Sequence, residues 1–174
     1  MTTGFRGRRV CAHTAATTKR KVTNNKVLLR MRGSIYDALM RKVLLAFIAG
    51  FLATIIFHQI ALQCFHLAGM TPRAAWSMQP TKPFGVPSVI SLSFWGGVWG
   101  IIMILIIDRV RGAAYWIWAI VFGAIAPTLV AAFVVAPLKH QPMPHTAKMV
   151  AIGLTVNGVW GLGTALFYKL FARK

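Results

Sequence analysis

This chain predicts an all-α membrane protein with four transmembrane helices. Three observations lead there. Four apolar runs, each long enough for a helical span, divide the chain; nearly all its charge is basic and lies outside those runs; and a Gly-Val-Trp-Gly unit occurs at residues 97–100 and again at 158–161, in the second and fourth runs. The recurrence suggests a tandem repeat of two helical hairpins.

Composition sets the class. Of 174 residues, 57% are hydrophobic, and only two acids, Asp37 and Asp108, stand against twenty Lys and Arg. A soluble domain with so little charge would lack polar surface to cover itself. The net charge of +18 suggests nucleic acid at first sight, but eleven basic residues precede Val43 and most others flank apolar runs. That placement reads as topology signals, and no specific nucleic-acid partner is expected. Cys11 and Cys64 are read as free thiols, too far apart along the membrane normal to bridge.

Residues 1–42 form a polybasic tail, expected to be mostly disordered because sustained apolar periodicity is missing until its last turns. Three readings compete for it: an arm that binds anionic lipid headgroups, an Arg-rich targeting segment, or an upstream extension, with Met31 or Met40 as ordinary starts. The transmembrane domain is placed at 43–171. Its first span, 43–65, follows Arg41-Lys42 and exceeds the roughly 20 residues a hydrocarbon core requires, so it reads as a retained anchor. The second, 89–107, ends at Asp108, which is read as a helix-end partner of Arg109 or Arg111. After a tight turn at Gly112 comes the third, 113–135; the fourth, 149–167, closes on Tyr168, Lys169, Arg173 and Lys174, an aromatic and basic interface end.

Lys and Arg distribute sixteen to four between the two sides, so the positive-inside rule puts both termini in the cytoplasm. Proline-rich loops 66–88 and 136–148 then face outward. Trp76 and Phe84 are expected to hold the longer loop against the headgroups.

Helices two and four align at a spacing of 61 residues and helices one and three at 73, which sets Ala46 on Ala119 and Gly50 on Gly123. Both hairpins begin on the same side, so the repeats would be parallel, related by a pseudo-two-fold along the membrane normal. Membrane helices need small residues to bring backbones close. Gly50 on helix one, Gly96, Gly97 and Gly100 on helix two, Gly123 on helix three, and Gly153, Gly158 and Gly161 on helix four are the expected packing glycines. Asn157 replaces the glycine that its counterpart, Gly96, supplies.

Polar residues inside a span usually face protein or a water-filled cavity. His58, Gln59, Gln63 and His66 fall within an arc of about 140° on helix one. With Asn157 across the bundle they form the candidate polar site, either a solute or proton path or hydrogen bonds to neighbouring helices. Near the outer surface, His66, His140 and His145 with Met70, Met78, Met143 and Cys64 offer nitrogen and sulfur ligands of the kind that suit copper or zinc, without diagnostic spacing. No catalytic residue or resident cofactor is expected, because two carboxylates on one side supply no intramembrane acid and base pair.

Four spans with a glycine-rich seam, a histidine near the end of helix one, and a third helix running from Gly123 through Pro127 to Ala136-Pro137-Leu138 together resemble small bacterial inner-membrane proteins of unknown function. The resemblance covers residues 43–168 and implies an integral inner-membrane location without an activity. The chain departs from small multidrug exporters, whose first helix carries an acid that is absent here. The leading functional expectation is a non-enzymatic accessory or interaction protein, as a homo-oligomer or within a larger membrane complex. A small transporter or channel using the helix-one stripe is the alternative, and an outer-face metal-binding protein is a third.

Overall fold

A computed structural model of the chain describes residues 30–82, 84–138 and 146–173. Four helices in it are long and apolar enough to cross a membrane: α1 Arg30–Leu67, α2 Ser88–Ile107, α3 Ala113–Leu138 and α4 Ala147–Ala172. The protein is therefore all-α, with one two-stranded ribbon among the described residues, β1 Pro80–Thr81 and β2 Val86–Pro87, in the loop between α1 and α2. The chain divides into two compact units, 1–41 and 42–174.

In the first unit, residues 30–41, the last turns of the tail, are helical and exposed. Met31, Ile35 and Leu39 recur at helical spacing there. The rest of the tail, Cys11 included, lies outside the described residues.

The second unit is built from two hairpins with closely matching internal contacts. Between α1 and α2, a Cβ added to Gly50 would strike the Gly96 carbonyl and lie 3.0 Å from Gly100 Cα, and one on Gly100 would lie 2.7 Å from the Ala46 carbonyl. Between α3 and α4, a Cβ on Gly123 would lie 2.7 Å from the Asn157 carbonyl and 2.8 Å from Gly161 Cα, and one on Gly161 would strike the Ala119 carbonyl. Under the 73- and 61-residue spacings these are equivalent positions. Backbone meets backbone at both, an approach that glycine allows at these positions and that membrane helices use in place of hydrophobic drive.

How the hairpins meet each other does not repeat. Trp160 of α4 donates its indole N–H to the Gly50 carbonyl at 3.1 Å. Phe57, about 10 Å further along α1, lies against Gly163 and edge-on to Phe167. A parallel pseudo-two-fold would map the Phe57–Gly163 contact onto Val130 and Ile102, yet Ile102 is 40% exposed. Trp99, the counterpart of Trp160, packs edge-on to Phe122 of α3.

The buried core lies toward the end of the domain that carries the short α2–α3 turn. Ala46, Ala49 and Ala53 of α1 meet Met103, Ile104 and Ile107 of α2, with Tyr115, Ala119, Trp160, Ala165 and Tyr168 from the second hairpin. Gly112 makes the turn with φ +64°, in the left-handed region that glycine tolerates. At this end Lys42 Nζ donates to Asp108 Oδ2 at 2.6 Å. Asp108 was expected to pair with Arg109 or Arg111. Close approach of α1 and α2 brings Lys42 within reach instead, joining the start of one apolar run to the end of the next.

Candidate functional site

The predicted stripe on α1 stands beside an irregularity in the helix. Residues Thr54–His58 form a π turn, where the regular ladder of backbone hydrogen bonds loosens and carbonyls become available to other donors. Thr54 is buried, its hydroxyl donating to the Gly50 carbonyl at 2.9 Å while its side chain fills the space a Cβ on Gly96 would need. Beyond the π turn the helix continues over Gln59–Leu67. It ends where Gly69, φ +67°, reverses the chain, with Ala68, Gly69 and Met70 donating back to the carbonyls of Cys64, His66 and Phe65.

Three members of the stripe bind the loop that follows. Gln59 is 3% exposed, and its Oε1 accepts the Trp76 backbone N–H at 2.8 Å. Gln63 Oε1 accepts from Ala75 N–H at 3.2 Å, and His66 Nδ1 lies 3.0 Å from the Thr71 carbonyl. The Trp76 indole N–H donates to the carbonyl of Ile55, within the π turn, at 2.9 Å. Trp76 thus folds back onto α1, because the π turn presents a carbonyl that its indole N–H reaches, while the residue stays 44% exposed. Its backbone sits at φ +49°, sparsely populated for a bulky residue. Such a conformation persists where surrounding bonds impose it, and here the two Trp76 donors do so.

The loop continues into the β1–β2 ribbon, pairing Pro80 with Pro87 and Thr81 with Val86, and Gly85 takes φ +66° at its turn. Ser88 and Val89 at the start of α2 donate to Gln79 and Ser77. Phe84, 88% exposed, stands at the tip.

Two predicted polar residues take other places. Asn157, read as a partner for the stripe, donates through Nδ2 to Thr128 Oγ1 of α3 at 2.8 Å. The close α3–α4 packing puts Thr128 beside it. His58 makes no such contact with the loop: its Nδ1 is buried without a hydrogen-bond partner among the described residues. The packing glycines divide by what faces them. Gly50, Gly100, Gly123 and Gly161 face backbone; Gly96 faces the Thr54 side chain and Gly97 the Phe47 ring; Gly153 and Gly158 have room, with nearest atoms at 3.4 and 3.5 Å.

Among the described residues no group of three or more His, Cys, Asp or Glu is placed to hold a metal. His140, His145 and Met143 lie outside them, and Cys64 is an exposed free thiol. Thr128 and Gly163 carry no sequence signal for these contacts, and the sequence marks Trp76 as a loop anchor and Thr54 as part of the helix-one seam without showing their hydrogen-bond partners. For Trp76 the signal was an indole in a proline-rich loop one helix length from a glutamine pair; nothing in the sequence pointed to the π turn that receives it.

Releasing the loop gives a direct prediction. Gln59→Leu keeps the side-chain bulk but removes the acceptor for Trp76 N–H, leaving a loop residue at positive φ with one restraint fewer. Hydrogen exchange at residues 71–77 is expected to speed up about tenfold, following a loss of ~1.4 kcal/mol, while the helices keep their protection. Unchanged exchange in the loop would show that Gln59 does not hold it.

Comparison with protein-family models, with curated proteins and with solved structures finds no match to the chain.

Proposed function

We propose that this is a non-enzymatic accessory protein of a membrane, which presents its longer loop as a fixed surface for a partner in a larger complex. The observation that supports this most is the use of Gln59, Gln63 and His66: their polar atoms hold residues 71–76 against α1. A stripe committed in this way is unsuited to handing a solute along the membrane. The loop so fastened presents Met78 and Phe84 outward, next to Leu67 at the end of α1, apolar side chains that suit a partner or the headgroup boundary. The charge bias on the two sides supports cytoplasmic termini, with the tail on anionic headgroups, and the pattern of spans supports a bacterial inner membrane. The two equivalent glycine contacts support an origin by tandem duplication, followed by divergence at Asn157 and at the hairpin–hairpin contact.

Purification at native expression in nanodiscs, with identification of stoichiometric companions, tests the role. A companion should copurify with the wild type and be lost from a Met78→Ser/Phe84→Ser variant that keeps its helicity. A protein that remains alone, or a companion indifferent to the loop, refutes the reading.

A small transporter is the second reading, favoured by one observation: the buried Nδ1 of His58 without a partner. An unsatisfied imidazole inside a span suits a position that water or a solute reaches. Reconstitution into liposomes decides this reading; a flux abolished by His58→Ala supports it, and absence of flux, or flux untouched by the change, removes it.

A further inference from the structure

The short-turn end of the folded domain carries more cations than the one carboxylate described there, Asp108, can pair with. Arg109 and Arg111 in the α2–α3 turn are exposed, as is Arg173 at the end of α4. Lys169 belongs to the same end, because its Nζ lies 4.2 Å from the Tyr115 ring centroid and 4.8 Å from that of Trp116, at the start of α3. Tyr115 in turn donates its hydroxyl to the Ala165 carbonyl at 3.2 Å, fastening α3 to α4 beneath them.

Two side-chain carboxylates exist in the whole chain. Asp108 is bonded to Lys42, and Asp37 belongs to the separate unit of residues 1–41. Among the described residues of its own unit, Asp108 forms its ion pair with Lys42 and none with Arg109, Arg111, Lys169 or Arg173. Two aromatic faces hold the Lys169 ammonium in place without neutralising it. Among the described residues of this unit, four cations thus stand at one end of an apolar domain without a side-chain carboxylate paired to them.

We propose that these residues bind the phosphodiester headgroup of an anionic phospholipid, a site in the folded domain separate from the basic tail. Charge complementarity selects the anion. Its surroundings select a lipid over a soluble phosphate: Ile106, Ile117, Trp118 and Leu170, all exposed, line the helix surfaces leading away from the cations, where acyl chains of a bound lipid would run. The guanidinium groups match phosphate oxygens in planar, two-point geometry, and Lys169 adds a held point charge.

Native mass spectrometry of the full-length protein, released from detergent after titration with phosphatidylglycerol, phosphatidylcholine or inorganic phosphate, tests the site. Phosphatidylglycerol should be retained in preference to phosphatidylcholine, and inorganic phosphate should not displace it. Each basic charge near a membrane surface changes affinity about fivefold, so Arg109→Gln/Arg111→Gln should weaken retention by more than tenfold. Arg73→Gln/Lys82→Gln, in the loop at the other end of the domain, should retain the lipid as the wild type does, and the loss in Arg109→Gln/Arg111→Gln should persist in a background that already carries Arg6→Gln/Arg8→Gln/Arg9→Gln. If Arg109→Gln/Arg111→Gln loses helicity, Lys169→Gln decides in its place, with a loss of about fivefold. Equal retention of the two lipids, displacement by inorganic phosphate, an equal loss in the loop variant, or no further loss in the tail background would each overturn the proposal.

Discussion

Gly161→Ala is expected to be among the most destabilising single-methyl additions in this protein, with Gly50→Ala beside it. At both positions the added Cβ runs into a backbone carbonyl of the facing helix, Ala119 for Gly161 and Gly96 for Gly50, with a facing Cα 3.0 Å away. Backbone in a packed helix cannot rotate aside as a side chain can, so the two helices must separate. Overpacking costs about 1–3 kcal/mol, and these sites belong at the upper end of that range because separation also loosens neighbouring contacts along the seam. Two internal controls accompany them. Gly153→Ala and Gly158→Ala place the methyl at ordinary contact distance from Thr128 and from Ala124 and Ile120, and gain the ~0.5–1 kcal/mol that alanine brings to a helix interior over glycine. They should be neutral or stabilising. Thermal unfolding in detergent, followed by circular dichroism, separates the two groups. Equal midpoints for all four variants would show that the glycine seam does not set how closely these helices pack.

That contrast also marks how far the sequence could be read. Four spans were legible because the length of an apolar run is a one-dimensional property, and the observed helices begin and end within a few residues of those runs, apart from the earlier start of α1 at Arg30. The glycine contacts were legible as a spacing. Which glycine faces backbone was not: Gly97 and Gly158 are equivalent letters of the repeated unit, yet one meets a phenylalanine ring and the other has room. Facing depends on helix rotation, which apolar spans encode weakly because nearly every face is hydrophobic.

The polar site was legible as residues and not as partners. Gln59, Gln63 and His66 were identifiable because polar groups in a span are costly, but their partners are backbone groups of residues 71–76. Backbone donors leave no mark in side-chain chemistry. Asp108 shows the same gap, since sequence neighbours Arg109 and Arg111 were the obvious partners and the one chosen, Lys42, is 66 positions away.

Trp160→Ala carries the other large expected effect, and it bears on whether the two hairpins are functionally alike. Trp160 is 2% exposed, packs in the core shared by both hairpins, and donates its indole N–H across to Gly50 on α1. Removing it empties a cavity of indole size where the hairpins join, at a cost of about 3–5 kcal/mol. Trp160→Phe retains most of the packing and removes the hydrogen bond alone. Because the Thr54 hydroxyl also donates to the Gly50 carbonyl, that acceptor stays partly satisfied, and the expected loss is about 0.5–1.5 kcal/mol. If the hairpins were energetically equivalent, Trp99→Ala would cost as much as Trp160→Ala. Trp99 is only partly buried, at the edge of that core and edge-on to Phe122, so its loss should cost less than half as much. Unfolding midpoints for Trp160→Ala, Trp160→Phe and Trp99→Ala test this ordering. Similar losses for the two alanine variants would restore the symmetric bundle; the expected inequality would place the joint between hairpins on α1 and α4, where Gly50, Thr54 and Trp160 meet.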